Sequence, residues 1–275
     1  MKFKYIFILF SSTLLFLIAV LVLLPLFMLN SSLSTVFWRM NWPFLVILSL
    51  ALLGFTLFYV IHRKLFILLE KEDWPALARY LEGRMIKTGK YTPRFVRLLA
   101  NTYLVLSDAA AVMSLENKVA IVKPAIVDAN ALVFGTARIL GGDISGAVRF
   151  FNTRKEAVKP SLKDWVQWYY GFSLLLNHQY EESEREFSFL SRVSKDGIII
   201  GLASYFLSEN LAYLLSDEKE EILEIANAGK ERVLKILPSS KDWNGEVSRF
   251  SSEIHAAAIA RYIKESAQWI YGRQE

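Results

Sequence analysis

A chain of 275 residues that is 53% hydrophobic, with no cysteine, three histidines and a net charge of +5, excludes several classes at once. Disulfide frameworks and thiolate metal sites are ruled out. No basic stripe interleaves with aromatics as nucleic-acid binding would require, so no nucleic-acid partner is expected.

Three of the 32 Lys and Arg residues, and none of the 27 Asp and Glu residues, precede His62. Two uncharged runs occupy that stretch, Tyr5 to Leu29 and Pro43 to Ile61. Crossing a hydrocarbon core takes about 20 apolar residues, so spans are expected at about 5–29 and 43–62, forming a hairpin over residues 1–62. A cleavable leader is the rival for the first run, but its apolar stretch is too long and no small-residue cleavage site follows. Lys2 and Lys4 precede the first run, only Arg39 lies between, and Arg63 and Lys64 follow the second. Positive charge marks the cytoplasmic side, so both termini and the remaining domain are expected at the cytoplasmic face of a cell inner membrane. Between Arg63 and Arg97 nine basic residues face four acidic ones, which suits anionic lipid. Asn30-Ser31-Ser32 fits a glycosylation sequon too near the membrane edge to be used.

The remaining residues carry a repeat. Gly135, Ile144, Ala147 and Phe151 are answered 36 residues later by Gly171, Tyr180, Ser183 and Phe187. Asp73, Asp108 and Asp143 are 35 apart, with Gln179 next at 36. Units fall at about 58–91, 93–126, 128–161 and 164–197, together a repeat region over 63–197. Each holds two helices and a tight turn near the Asp. Pro124 and Pro160 close two of them, while Thr92-Pro93 and Asp73-Trp74-Pro75 read as capped helix starts. Glu116 stands where the aromatic belongs in the second unit. Either the membrane helix runs directly into the first unit, or Leu65 to Leu69 is a separate juxtamembrane helix. From 198 to 275 the pattern degrades into an apolar helix to Leu215, an amphipathic one ending at Pro238, and a last helix to Tyr271 preceded by Gly245 and Glu246.

The stretches Leu140 to Phe151 and Asn177 to Phe187 resemble the central turn of the tetratricopeptide repeat, with its small residue and later aromatic. That resemblance implies an all-α fold: two transmembrane helices followed by a right-handed α-solenoid with a C-terminal cap. It also implies a concave groove lined by Arg94, Arg97, Asn101, Leu104 and Val105; by Ala129, Leu132, Thr136, Ile139 and Leu140; and by Trp165, Trp168, Phe172, Leu175 and Leu176. The family's carboxylate clamp is incomplete, because Val133, Trp165 and Tyr169 hold its remaining places. The groove is expected to take an amphipathic helix of a protein partner, or else to be filled by the chain's own last helix with Trp269 and Tyr271. The hairpin-plus-repeat layout is similar to the HemY family, by architecture alone.

Signals of chemistry are sparse. His62, His178 and His255 lie far apart, and none has a second ligand at metal spacing. His178 reads as a turn residue and His255 as a structural one. Gly83 to Lys90 has the wrong spacing for a phosphate loop, and Tyr91 replaces its Ser or Thr. The expectation is therefore a membrane-anchored adapter with no catalytic residue, cofactor, metal or small-molecule substrate. The alternatives are a structural subunit of a bacterial envelope machine, such as a secretion apparatus or flagellar collar, and a HemY-like accessory of tetrapyrrole synthesis.

Overall fold

The computed structural model describes residues 3–28, 31–89, 91–251 and 253–272. Lys2, Leu29, Asn30 and Lys90 lie outside the described residues. The described residues form helices and turns, with no strand among them. The chain divides into two compact units, Met1–Tyr80 and Leu81–Glu275.

The first unit holds α1 (Phe3–Met28) and α2 (Ser31–Glu70). Aromatic side chains zip them together in antiparallel order. Phe3 stacks on Phe66 at 5.0 Å between centroids, Phe7 on Tyr59 at 4.0 Å, and Phe10 packs against Phe55 at 4.4 Å. The Lys4 N–H, left over at the start of α1, donates to Glu70 Oε1 at 3.3 Å. Both helices are long and apolar enough to cross a membrane, and their most apolar windows are 6% and 0% buried. Exposing that much hydrocarbon is favourable only where the solvent is itself apolar.

In α2 the helix begins at Ser31 rather than at Pro43 and continues without a break through Arg63 and Lys64. Pro43 lies inside it. A proline removes one helical donor, and the Asn41 side chain supplies a nearby one by donating to the Phe37 carbonyl at 2.9 Å. At 1.5 Å per residue, 40 residues reach about 60 Å, roughly twice a hydrocarbon core.

α3 (Trp74–Thr88) contains the boundary between the units. Beyond it come α4 (Pro93–Val105), α5 (Ala109–Val122), the short α6 (Pro124–Asp128), α7 (Ala131–Leu140), α8 (Ile144–Arg154), α9 (Pro160–Leu176) and α10 (Tyr180–Val193). One turn geometry recurs at four places. Glu72, Ser107, Gly142 and His178 all have positive φ, at 53, 57, 79 and 61°. The next residue in each case donates back across the turn. Asp73 N–H reaches Leu68 O at 3.2 Å, Asp108 reaches Tyr103 O at 2.9 Å, Asp143 reaches Arg138 O at 2.9 Å and Gln179 reaches Leu174 O at 3.0 Å. This left-handed residue with a closing bond is a Schellman ending, which satisfies the last carbonyls of one helix. The aspartates then open the next helix. Asp73, Asp108 and Asp143 accept from Ala76, Ala111 and Gly146 N–H at 3.1, 2.9 and 3.0 Å. Gln179 makes no such cap.

Within a pair the small residue lets the helices close. A Cβ on Gly135 would lie 2.0 Å from Phe151 Cζ, and one on Gly171 would lie 3.1 Å from Phe187 Cε1. Each aromatic also stacks onto the following helix pair, Phe151 on Tyr169 at 5.6 Å and Phe187 on Phe206 at 5.5 Å. Where Glu116 replaces the aromatic it is buried and pairs with Arg138 at 2.5 Å, so an ion pair substitutes for the ring as the link to the next helices. Arg138 in turn lies over Phe150. Pro124 and Pro160 do not close units. They stand at the first positions of α6 and α9, where a missing N–H costs nothing.

The last third is built differently. α11 (Gly197–Phe206) runs through a π-helical turn (Leu207–Leu211) into α12 (Ala212–Leu214). Gly197–Leu214 is a third helix apolar enough to cross a membrane, but 72% of its window is buried inside the protein. Around it pack α9, α10, α13 (Lys219–Ile236), α14 (Ser240–Phe250) and α16 (Ala260–Tyr271). The expected single last helix is three: α14, α15 (Ile254–Ala258) and α16. Gly245 and Glu246 lie inside α14 rather than before a helix, because a capping box between Ser239 and Asp242 starts that helix earlier.

Candidate functional site

The nine side chains expected to line the groove separate into two groups. Leu132, Thr136, Trp168, Tyr169 and Phe172 are buried, all at 5% exposure or less. What covers them is the chain's own C-terminal segment. Tyr169 donates its hydroxyl to the His255 carbonyl at 2.7 Å, and burial pushes that phenol well above the ordinary tyrosine range. Trp165, half-buried, meets Phe250 at 5.2 Å and His255 at 5.4 Å. Phe172 meets Tyr262 at 5.5 Å. The aromatic nest at this end of the groove is therefore filled from within.

The residues that fill it are not the expected pair. Trp269 lies under Lys230, whose ammonium sits 4.8 Å from the ring centroid and donates to the Trp269 carbonyl at 2.7 Å. Tyr271 donates to the Leu237 carbonyl at 2.6 Å. Phe250, His255 and Tyr262 do the covering instead. Three buried polar atoms at the contact have no partner: Trp168 Nε1, Thr136 Oγ1 and His255 Nδ1. His255 Nε2 lies 3.2 Å from Glu253 Oε2, and that hydrogen bond, reinforced by the charge of Arg97, holds the Glu253 carboxyl below its usual range.

Arg94, Arg97 and Asn101 form the second group. Arg94 is exposed. Arg97 is committed, its guanidinium donating to Asn130 Oδ1 and to the Ala129 carbonyl, both at 3.1 Å. Asn101 is half-buried with its Oδ1 unpartnered. Val105 and Leu140, at the C-terminal ends of α4 and α7, are 46% and 56% exposed. The part of the groove open to solvent is thus a small cationic and aliphatic strip on α4 and α7.

His178 sits in an exposed turn, 2.8 Å from the Tyr180 hydroxyl, and His62 turns back onto the Phe58 carbonyl of its own helix. Gly83 lies within α3, not in a loop. Among the described residues no group of three or more His, Asp or Glu comes together as a metal site would. Sequence reading passed over a second surface. Ile86 on α3 is 77% exposed, and Ile121 and Val122 on α5 are 86% and 52% exposed, each beside a lysine. The signal available was an aliphatic residue outside the buried stripe of an otherwise amphipathic helix.

The fold and the covered groove together define an all-helical protein with two exposed apolar helices at its start and a self-filled aromatic centre. Residues 111–272 match a family model described as an uncharacterised Treponema protein, and the chain belongs to that family. The match is to this family and not to a tetratricopeptide-repeat or HemY model. A relative from Treponema pallidum (strain Nichols), described as an uncharacterized protein, is 26% identical over 234 residues, which cover 83% of this chain and 74% of the relative.

Proposed function

We propose that this protein is a membrane-anchored helical scaffold that gathers a protein partner at the cytoplasmic face of a bacterial inner membrane and performs no chemistry itself. In this reading α1 and α2 are the membrane hairpin and the paired helices that follow are a solenoid of tetratricopeptide type. The observation that carries it is the turn repeated at Glu72, Ser107, Gly142 and His178. Repeated pairs of this kind bury their apolar faces only by stacking, and the stack presents an extended surface. The cations at Lys4, Arg39, Arg63 and Lys64 favour the cytoplasmic side.

With Trp168, Tyr169 and Phe172 covered, the partner surface moves to the open strip of Arg94, Val105 and Leu140. Anchoring beside a membrane complex raises the local concentration of whatever binds there. The test is site-specific photo-crosslinking of the full-length chain in native membranes, with the probe at Arg94, Val105 or Trp168. Adducts to another protein from Arg94 and Val105, with Trp168 yielding adducts only to residues near 250–262 of its own chain, are the expected result. Adducts to a foreign protein from Trp168 alone would overturn the assignment of the surface, and none from any position would overturn the scaffold.

A further inference from the structure

We propose that the outer face of α3 and α5 is a docking surface for an anionic lipid bilayer; this rests on the reading of α1 and α2 as a membrane hairpin. Ile86 and Lys118 form opposite lips of one cleft, floored by Met85, Leu99 and Leu115. Ile121 and Val122 follow Lys118 by three and four residues, which places them one turn further along the same stripe of α5. The three aliphatic side chains are among the more exposed of the second unit, at 77%, 86% and 52%. Lys87, Lys118 and Lys123 stand exposed beside them. At the inner end of the cleft the one carboxylate, Glu82, accepts a hydrogen bond from Tyr103.

The composition selects the occupant. Protein interfaces are depleted in lysine at their cores and anchored by aromatic residues or arginine. Here the protruding residues are aliphatic and the flanking charges are lysines. That combination suits a headgroup region, where aliphatic tips enter the acyl boundary and lysine stems lie along it with their ammonium groups on phosphate. Each lysine at an anionic surface contributes roughly 1 kcal/mol. A chain held by two spans is never far from such a surface, so a modest patch is enough to dock it.

The absence of cysteine makes the test clean. A single Ile121→Cys carrying an environment-sensitive fluorophore is placed in the full-length chain. The protein is reconstituted into phosphatidylcholine vesicles with or without phosphatidylglycerol, some with a quencher on the acyl chain. Flotation with the vesicles reads the hairpin separately. The expected result is a blue-shifted, lipid-quenched probe in anionic vesicles only, reversed by high salt. Lys118→Gln and Lys123→Gln should each lower the docked-to-free ratio about fivefold. A probe at Glu181, on the exposed side of α10, should not respond. A chain that floats while its Ile121 probe stays equally wet in both lipids overturns the docking surface and leaves the hairpin standing. A chain that does not float overturns both. Shielding of Ile121 only in native membranes, with crosslinks to another protein, would assign the face to a protein and overturn the proposal.

Discussion

Glycine does the same work in two parts of this molecule, by contacts of very different reach. In α7 and α9 it faces an aromatic of its own helix pair: Gly135 meets Phe151, and Gly171 meets Phe187. In α11 it faces side chains from far along the chain. Gly197 meets Leu237, and Gly201 meets both Trp243 and Ile270. The first arrangement recurs at a fixed spacing because each pair is a copy of the same local solution. The second occurs once, because α11 is the post around which the remaining helices are wound. Close approach of helices is thus achieved locally in one region and by long-range assembly in the other.

The sharpest way to break this comparison is at Gly201. A Cβ there would lie 2.6 Å from Trp243 Cζ3 and 2.9 Å from Ile270 Cδ1, two fully or nearly buried side chains on different helices. Gly201→Leu should cost about 3 kcal/mol or more. In hydrogen exchange on the detergent-solubilised full chain, residues 254–271 should lose protection before α7 to α10 do. Unchanged exchange there would mean that α14 and α16 are not packed on α11.

The paired region offers a graded version. Gly135→Ala forces a methyl against a buried ring at 2.0 Å, whereas the Gly171 contact is 3.1 Å and can relax. The expected costs are about 2 kcal/mol and under about 1 kcal/mol, read as thermal midpoints. Gly171→Leu should cost roughly 1–3 kcal/mol, while Glu184→Leu, on the half-exposed face of α10, should cost less. Equal tolerance of Gly171→Leu and Glu184→Leu would refute the register in which Gly171 and Phe187 face each other. Between the two regions lies the Tyr169 hydroxyl on the His255 carbonyl. Tyr169→Phe removes one buried hydrogen bond, about 1 kcal/mol, and should speed exchange at residues 255–258 without disturbing α10.

The same contrast explains what could be read in advance. The spacing of Gly135, Phe151, Gly171 and Phe187, and of Asp73, Asp108 and Asp143, is local, and each residue has a role that its neighbours state. The helix pairs and their turns were legible for that reason, as were the two apolar helices. Pro124 was misplaced because a proline between helices reads equally as a stop or a start. The groove was legible as a set of side chains but not as a vacancy. Its occupants, Phe250, His255 and Tyr262, lie roughly eighty to ninety residues from Trp165, Tyr169 and Phe172, and nothing in their own helical pattern names that target. Trp269 and Tyr271 were the more conspicuous aromatics and went elsewhere.

The smallest expected effect comes from the one turn that departs from its copies. Asp73, Asp108 and Asp143 each cap the following helix, while Gln179, at the equivalent place, has a longer side chain that accepts from Asn177 Nδ2 at 2.7 Å instead. The backbone is already in position, since the Gln179 N–H closes the same bond to Leu174 that the aspartates close in their turns. Gln179→Asp should therefore find the Glu182 N–H with no rearrangement and stabilise α10 by about 0.5–1 kcal/mol. An added carboxylate at a helix start is favoured by the helix dipole, but Glu181 and Glu182 already crowd that end, which holds the gain to the lower half of the range. A gain near that size in the thermal midpoint would mean that the fourth turn is interchangeable with the other three. A loss would mean that the Gln179–Asn177 contact sets its geometry, and that the repeat at this point is one of spacing without shared chemistry.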